Sequence, residues 1–215
     1  MQEGNDSELK VAEFLLKIKA VKLQPKNPFT WASGIQSPIY CDNRSILSHP
    51  SIRTYIRQVL TEKINEQFPK PEIVAGVATG GIAIGALVAQ EMGLPFVYVR
   101  SSAKGHGMQN LIEGGTIEQG QSVIVIEDLI STGKSSLLAV KALKEAGANV
   151  KGLVAIFSYG FEESVKAFAD EKVPFHTLTN YNTLVEHAAS LDYVSKDEIE
   201  SLNAWRQDPK NWTND

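Results

Sequence analysis

An α/β fold, a parallel sheet flanked by helices with a small N-terminal subdomain, is predicted by three features of this 215-residue chain. Short apolar runs, such as Ile73–Val77, Val123–Ile126 and Leu153–Phe157, alternate with amphipathic segments, the pattern of repeated strand–helix units. The runs are apolar at every position rather than every second one, as strands covered on both faces are. Glycine or small polar residues follow several runs, where tight crossover turns belong.

The elements can be justified in order. Val11, Phe14, Leu15 and Ile18 recur at helical spacing behind the polar cluster Asn5, Asp6 and Ser7, which predicts a first helix starting there. Phe29-Thr30-Trp31, Ser33-Gly34 and Ile39-Tyr40-Cys41 have strand and turn character. A second helix begins near Pro50, a residue favoured in the first turn, and lines up Ile52, Ile56, Val59 and Lys63. Strand Ile73–Val77 leads to a helix from about Ile82 to Met92 that Gly93 ends. Phe96–Val99 precedes a glycine-rich loop, and Val123–Ile126 precedes a helix running through Leu143. Leu153–Phe157 is followed by a helix around Glu163–Asp170 and a last strand, Phe175–Leu178. Thr183 to Glu186 and Ser195 to Glu198 both have capping-box spacing and predict two more helix starts. The chain reads as a single domain over 1–215, with about 1–45 as the subdomain.

Composition removes several classes. Lys plus Arg is 21 against 25 Asp plus Glu, a net charge of −4, where a general nucleic-acid binder shows a basic excess. With 43% hydrophobic and 21% charged residues, the chain can bury roughly 70% of its unfolded surface. The single cysteine, Cys41, cannot form an internal disulfide, and Lys10, Glu13 and Lys17 interrupt the first apolar stretch. A cytoplasmic protein without a signal peptide is expected. Ile73 to Gln90 is uncharged, but Gly76, Gly80, Gly81 and Gly85 punctuate it and Glu72 and Glu91 flank it. That is a strand, turn and helix, and no membrane partner is expected.

The chemistry concentrates in Val123-Ile-Val-Ile-Glu127-Asp128-Leu129-Ile130-Ser131-Thr132-Gly133-Lys134-Ser135-Ser136. A buried strand ends in two acids, and a turn of small residues opens a helix whose unpaired N–H groups and dipole favour an anion. Gly133-Lys134-Ser135 resembles the tail of a nucleotide P-loop, but that motif needs a glycine where Asp128 stands. A carboxylate about 4 Å from a phosphate charge costs about 4 kcal/mol at an effective dielectric of 20. A sugar phosphate wants both features, because carboxylates accept from ribose hydroxyls while the turn holds the phosphate. An acidic pair that merely caps a helix is the competing reading.

The string resembles the phosphoribosyl pyrophosphate signature of the type I phosphoribosyltransferases. The segments Phe29–Arg44 and Val99–Gly114 are similar to the orotate-specific members of that family. The resemblance runs from about residue 9 to about residue 200. It implies the family's fold, with the N-terminal subdomain as a hood over the base. It also implies transfer of the phosphoribosyl group of 5-phosphoribosyl 1-pyrophosphate (PRPP) to orotate, in pyrimidine biosynthesis. Magnesium is expected to arrive on the pyrophosphate of PRPP, with no cluster of protein metal ligands. A homodimer sharing loop 101–114 between subunits is expected as well.

Residue by residue, the resemblance assigns PRPP contacts to Arg100, Lys104 and His106 and to Thr79 and Gly80 of Ala78-Thr-Gly-Gly81. It extends them over Glu127, Asp128, Leu129, Ile130, Ser131, Thr132, Gly133, Lys134 and Ser135. Lys104, His106, Glu127 and Asp128 are the expected catalytic groups, and Ser131 and Tyr40 the expected orotate contacts. Cations at 100, 104 and 106 would stabilise a departing pyrophosphate, although a solvated charged loop or a plain strand-to-helix turn would look alike in isolation. Trp31 reads equally as core. The chain departs from one family branch where Ala32, Ser101 and Tyr159 replace basic residues. A purine phosphoribosyltransferase is disfavoured by the Lys104-Gly-His106 loop, and a PRPP-sensing nucleic-acid regulator by the charge.

Overall fold

The computed structural model describes residues 3–31, 34–102 and 111–214. Five predicted strands and a short sixth, β7, that the sequence did not signal meet in one six-stranded sheet, order β10-β9-β8-β5-β6-β7. These are β5 (Ile73–Val77), β6 (Phe96–Val99), β7 (Ile112–Glu113), β8 (Ser122–Ile130), β9 (Asn149–Ser158) and β10 (Phe175–Asn180). The pairs β5–β6, β5–β8 and β8–β9 are parallel, and only short β7 runs antiparallel to its partner among these recorded pairs.

Two compact units divide the chain: Leu47–Leu178, and Met1–Ile46 together with Thr179–Asp215. In the larger unit, strand alternation sorts the apolar side chains. Ile73, Ala75, Val77, Val123, Val125, Leu153 and Ala155 form one buried layer with Ala139, Val140, Ala142 and Leu143 of α4 (Lys134–Glu145) and Phe168 of α5 (Glu162–Asp170). The intervening positions serve the opposite face, which α2 (Pro50–Gln67) and α3 (Gly80–Met92) cover. Gly93 ends α3 in the left-handed conformation, φ 66°, as its position predicts.

The smaller unit contains α1 (Glu3–Lys17), β1 (Val21–Leu23), β2 (Phe29–Thr30), β3 (Gln36–Ser37) and β4 (Ile39–Cys41), with α6 (Tyr181–Ser190) and α7 (Lys196–Gln207). β1 pairs antiparallel with β4 and β2 with β3. Glu8 on α1 accepts from Asn180 Nδ2 and Thr183 Oγ1, both at 2.5 Å. Trp205 is completely buried, edge-on to Trp31 at 5.6 Å, and its Nε1 donates to the Gln36 carbonyl at 3.2 Å. Trp31, half-buried, therefore packs against this unit's core.

Several boundaries differ from the sequence reading. α1 begins at Glu3, so Asn5, Asp6 and Ser7 lie within it rather than before it. On α2 the buried line ends on Ile64, while Lys63 points outward to Glu66 at 3.4 Å. Ser195 and Glu198 do form a capping box. The Thr183–Glu186 start does not: α6 begins at Tyr181, and the Asn180 side chain accepts from the Thr183 N–H. β8 continues through Glu127 and Asp128 to Ile130 because its backbone stays paired with Ala155, Phe157 and Ser158 of β9.

Trp205→Ala removes a fully buried indole and its hydrogen bond, and should cost about 3–5 kcal/mol. A lowered urea midpoint in circular dichroism checks this; an unchanged midpoint would show that the smaller unit does not rest on Trp205.

Candidate active site

A cavity of about 430 Å³ opens at the C-terminal ends of β5 and β8, where ligands of parallel α/β sheets bind. Its wall comes from two strand-to-helix connections. Ala78, Thr79 and Gly80 supply one side; Glu127, Asp128, Leu129 and Ser131 to Ser135 supply the other. The Ala78–Thr79 peptide is cis. Gly133 is the N-cap of α4 at φ 81°, a left-handed conformation that favours glycine, and no side chain caps the helix. The first N–H groups of α4 are thus left to solvent or a ligand.

The two acids differ in their neighbours. Glu127 turns inward, is 4% exposed, and accepts from Ser136 Oγ at 3.0 Å and from the Asp128 N–H at 3.1 Å. Asp128 lays its carboxylate against Gly80 and also shares a side-chain hydrogen bond with the Glu127 carboxyl. A methyl group at residue 80 would overlap that carboxylate, so a glycine is required there by close approach. Burial, then the adjacent negative charge of Asp128, then the hydrogen bond to its side chain push the Glu127 carboxyl well above its usual range, against the opposing bonds from Ser136 and the Asp128 N–H.

The cavity gathers most of the residues expected from sequence, but not all. Ile130 is completely buried in the core beneath the wall. Arg100 is not among the lining residues; it is paired with Glu113 at 3.1 Å. Tyr40 belongs to the smaller unit, where it is 39% exposed and 5.5 Å from Phe29. Lys104 and His106, with most of loop 101–114, lie outside the described residues, as does Ala32. Ser101 is exposed, and Tyr159 is buried and stacked on Phe161 at 5.3 Å. Ser136, the partner of Glu127, ends the motif and sequence alone gives it no role; its place on the inward side of the first helical turn is the available signal. Among the described residues no three His, Cys, Asp or Glu side chains converge as a metal cluster.

Residues 42–187 match the phosphoribosyl transferase domain family. The chain is 54% identical over 201 residues to the orotate phosphoribosyltransferase of Bacteroides fragilis, covering 94% of each. It is 53% identical over 205 residues to that of Listeria monocytogenes, covering 95% of this chain and 98% of the relative. The crystal structure of orotate phosphoribosyltransferase from Aeropyrum pernix superposes with a TM-score of 0.74 at 28% identity, covering 86% of this chain and 99% of that one.

The inward carboxyl of Glu127 makes a prediction about pH. Folded protein binds its proton more tightly than unfolded protein, whose value lies near the ordinary 4.5. The folded state therefore holds more protons between the two values, and stability falls as pH rises through that window. Glu127→Gln keeps an acceptor for Ser136 and removes the titration. The Tm difference, variant minus wild type, should grow with pH from about 4.5 upward. A pH-independent difference would show that Glu127 titrates normally.

Proposed function

This chain belongs to the phosphoribosyl transferase family, among its orotate phosphoribosyltransferases, and on that premise we propose how its residues divide the work. The reaction breaks the bond between the anomeric carbon of PRPP and its pyrophosphate oxygen. A bond to a ring nitrogen of orotate replaces it, giving orotidine 5′-monophosphate and pyrophosphate in pyrimidine biosynthesis.

One observation carries the assignment: a single cavity combines a carboxylate with an uncapped helix start. The 5-phosphate belongs on the Ser131-Thr132-Gly133-Lys134-Ser135 turn, where N–H groups, hydroxyls and the helix dipole favour an anion. Asp128 accepts from the ribose hydroxyls and faces the positive charge that grows at the anomeric carbon as pyrophosphate leaves. Glu127, bonded to Ser136 and to the Asp128 N–H, holds the backbone that aims Asp128. Thr79 and Gly80 face the pyrophosphate from the opposite wall. Arg100, Lys104 and His106 supply cations to it, and Ser131 and Tyr40 contact orotate; these assignments rest on their motifs.

Magnesium is carried in on the pyrophosphate, and Asp128, an acid in the wall of an anion-binding cavity, fits a contact to that hydrated ion. When bound, the ion neutralises charge on the leaving group. The enzyme works as a homodimer in which loop 101–114 reaches the neighbour's site. Its place is the cytoplasm, supported by the single cysteine; no described helix is long and apolar enough to cross a membrane.

Asp128→Asn should lower kcat/KM at least tenfold, about 1.4 kcal/mol of transition-state stabilisation. Steady-state kinetics on folded variant checks it, and unchanged values would remove Asp128 from the mechanism.

The shared loop is tested by mixing two inactive variants, Lys104→Ala and Asp128→Asn, and letting subunits exchange. If the loop acts in its own subunit, every site carries a defect and the mixture stays inactive. Acting across the dimer, one site of each mixed dimer is intact. Random exchange makes half the dimers mixed, so about a quarter of wild-type activity should return. No recovery despite demonstrated exchange would place the loop in its own subunit's site.

A further inference from the structure

A half-buried polar cluster lies outside the cavity, on the strands that bracket the Arg100–Leu111 connection. β6 and β7 pair antiparallel, with Tyr98 directly opposite Glu113 and Val99 opposite Ile112. The Arg100 N–H donates to the Leu111 carbonyl at 2.8 Å and carries the ladder one step further. Residues 98 and 100 therefore share a face of the sheet, and Glu113 sits across from them on that face. The Glu113 carboxylate is divided between the two. Tyr98 Oη donates to Oε2 at 2.5 Å, and Arg100 Nη1 donates to Oε1 at 3.1 Å.

We propose that Glu113 is a positioning residue for Arg100, holding the guanidinium ready for the anionic substrate through a carboxylate that Tyr98 in turn orients. This rests on the reading above that Arg100 contacts PRPP. An arginine side chain has many rotamers, and ordering it at the moment of binding subtracts from affinity. The carboxylate orders it beforehand through a charge-assisted bond. A guanidinium carries five N–H donors, so a bond from Nη1 leaves a fork for phosphate oxygens. The side chains are 26% and 35% exposed, so the pair is screened less than a fully solvated one. The carboxylate beside Tyr98 pushes its hydroxyl above the usual range, keeping it protonated as a donor.

A residue that orders a binding group before substrate arrives moves KM for that substrate and spares kcat. Glu113→Ala should raise KM for PRPP about tenfold, with kcat and KM for orotate each changed by about threefold or less. Tyr98→Phe should shift KM for PRPP the same way by less, and Glu113→Gln, whose single amide oxygen can still accept from Arg100, should recover part of the loss. In an Arg100→Ala background, Glu113→Ala should add nothing further. A raised PRPP KM in Arg100→Ala with an unchanged one in Glu113→Ala and Tyr98→Phe would overturn the positioning role alone. An unchanged PRPP KM in Arg100→Ala would overturn the reading of Arg100 and the proposal with it. An undiminished effect of Glu113→Ala in the Arg100→Ala background would make the role structural.

Discussion

β8 stays extended through its two acids, and the arrangement of the site follows from that. Side chains of a strand leave it on alternate faces, so adjacent acids in an extended segment meet different neighbours even where, as here, their carboxyls also share a hydrogen bond. Glu127 is sent to the side where α4 starts, and Asp128 to the side where α3 starts. A turn at the same place would leave both acids in solvent. Continued pairing of Glu127, Leu129 and Ile130 with β9 instead buries one acid and presents the other. The two then have different environments, and a buried carboxyl pushed above its usual range beside one that is partly exposed divides structural work from chemical work.

The second requirement is a close approach of backbones. The Gly80-Gly81 start of α3 lies against the last turn of β8's apolar run, and a side chain at residue 81 would strike the Ile126 carbonyl. Two loops that follow different strands share one cavity because nothing but hydrogen separates them there. The cost is conformational, since glycine at a helix start gives up more freedom on folding than other residues. The return is that a ligand can touch the α3 start, the β8 acid and the α4 start together.

Element types, their order and the parallel sheet were legible because they follow from apolar runs and their spacing. Boundaries were less so, for particular reasons. The apolar run of β8 stops at Ile126, but strand pairing is made by backbone groups that side-chain polarity does not report. Asn180 caps α6 although Thr183 has the better spacing, because Glu8, far away in sequence, holds both side chains. Likewise the cavity wall could be read from Ala78-Thr-Gly-Gly81 and Glu127–Ser135, whereas the burial of Glu127 could not. Its partner Ser136 matters only once α4 is packed on β8. The tie between Arg100 and Glu113 depends on a two-residue strand, β7, too short to leave a periodic signal.

The anion site is built mainly of neutral groups, and this has a consequence for selectivity. The chain carries a net charge of −4, and the one lysine among the described residues of the cavity wall, Lys134, is 81% exposed and only loosely paired with Glu163 at 3.8 Å. Such a pair contributes little to stability or to a fixed field. Attraction in the wall comes from N–H groups and a helix dipole whose directions are set by the fold, and it fades within the first helical turn. A group is held there by matching several donors at once, so discrimination rests on the number and placement of oxygens more than on total charge. On the proposed reading of Arg100, a cation that meets a departing pyrophosphate is better placed on a separate side chain held in advance, as the pairing with Glu113 would hold it, because a binding turn already saturated with donors cannot respond to charge that develops elsewhere in the cavity.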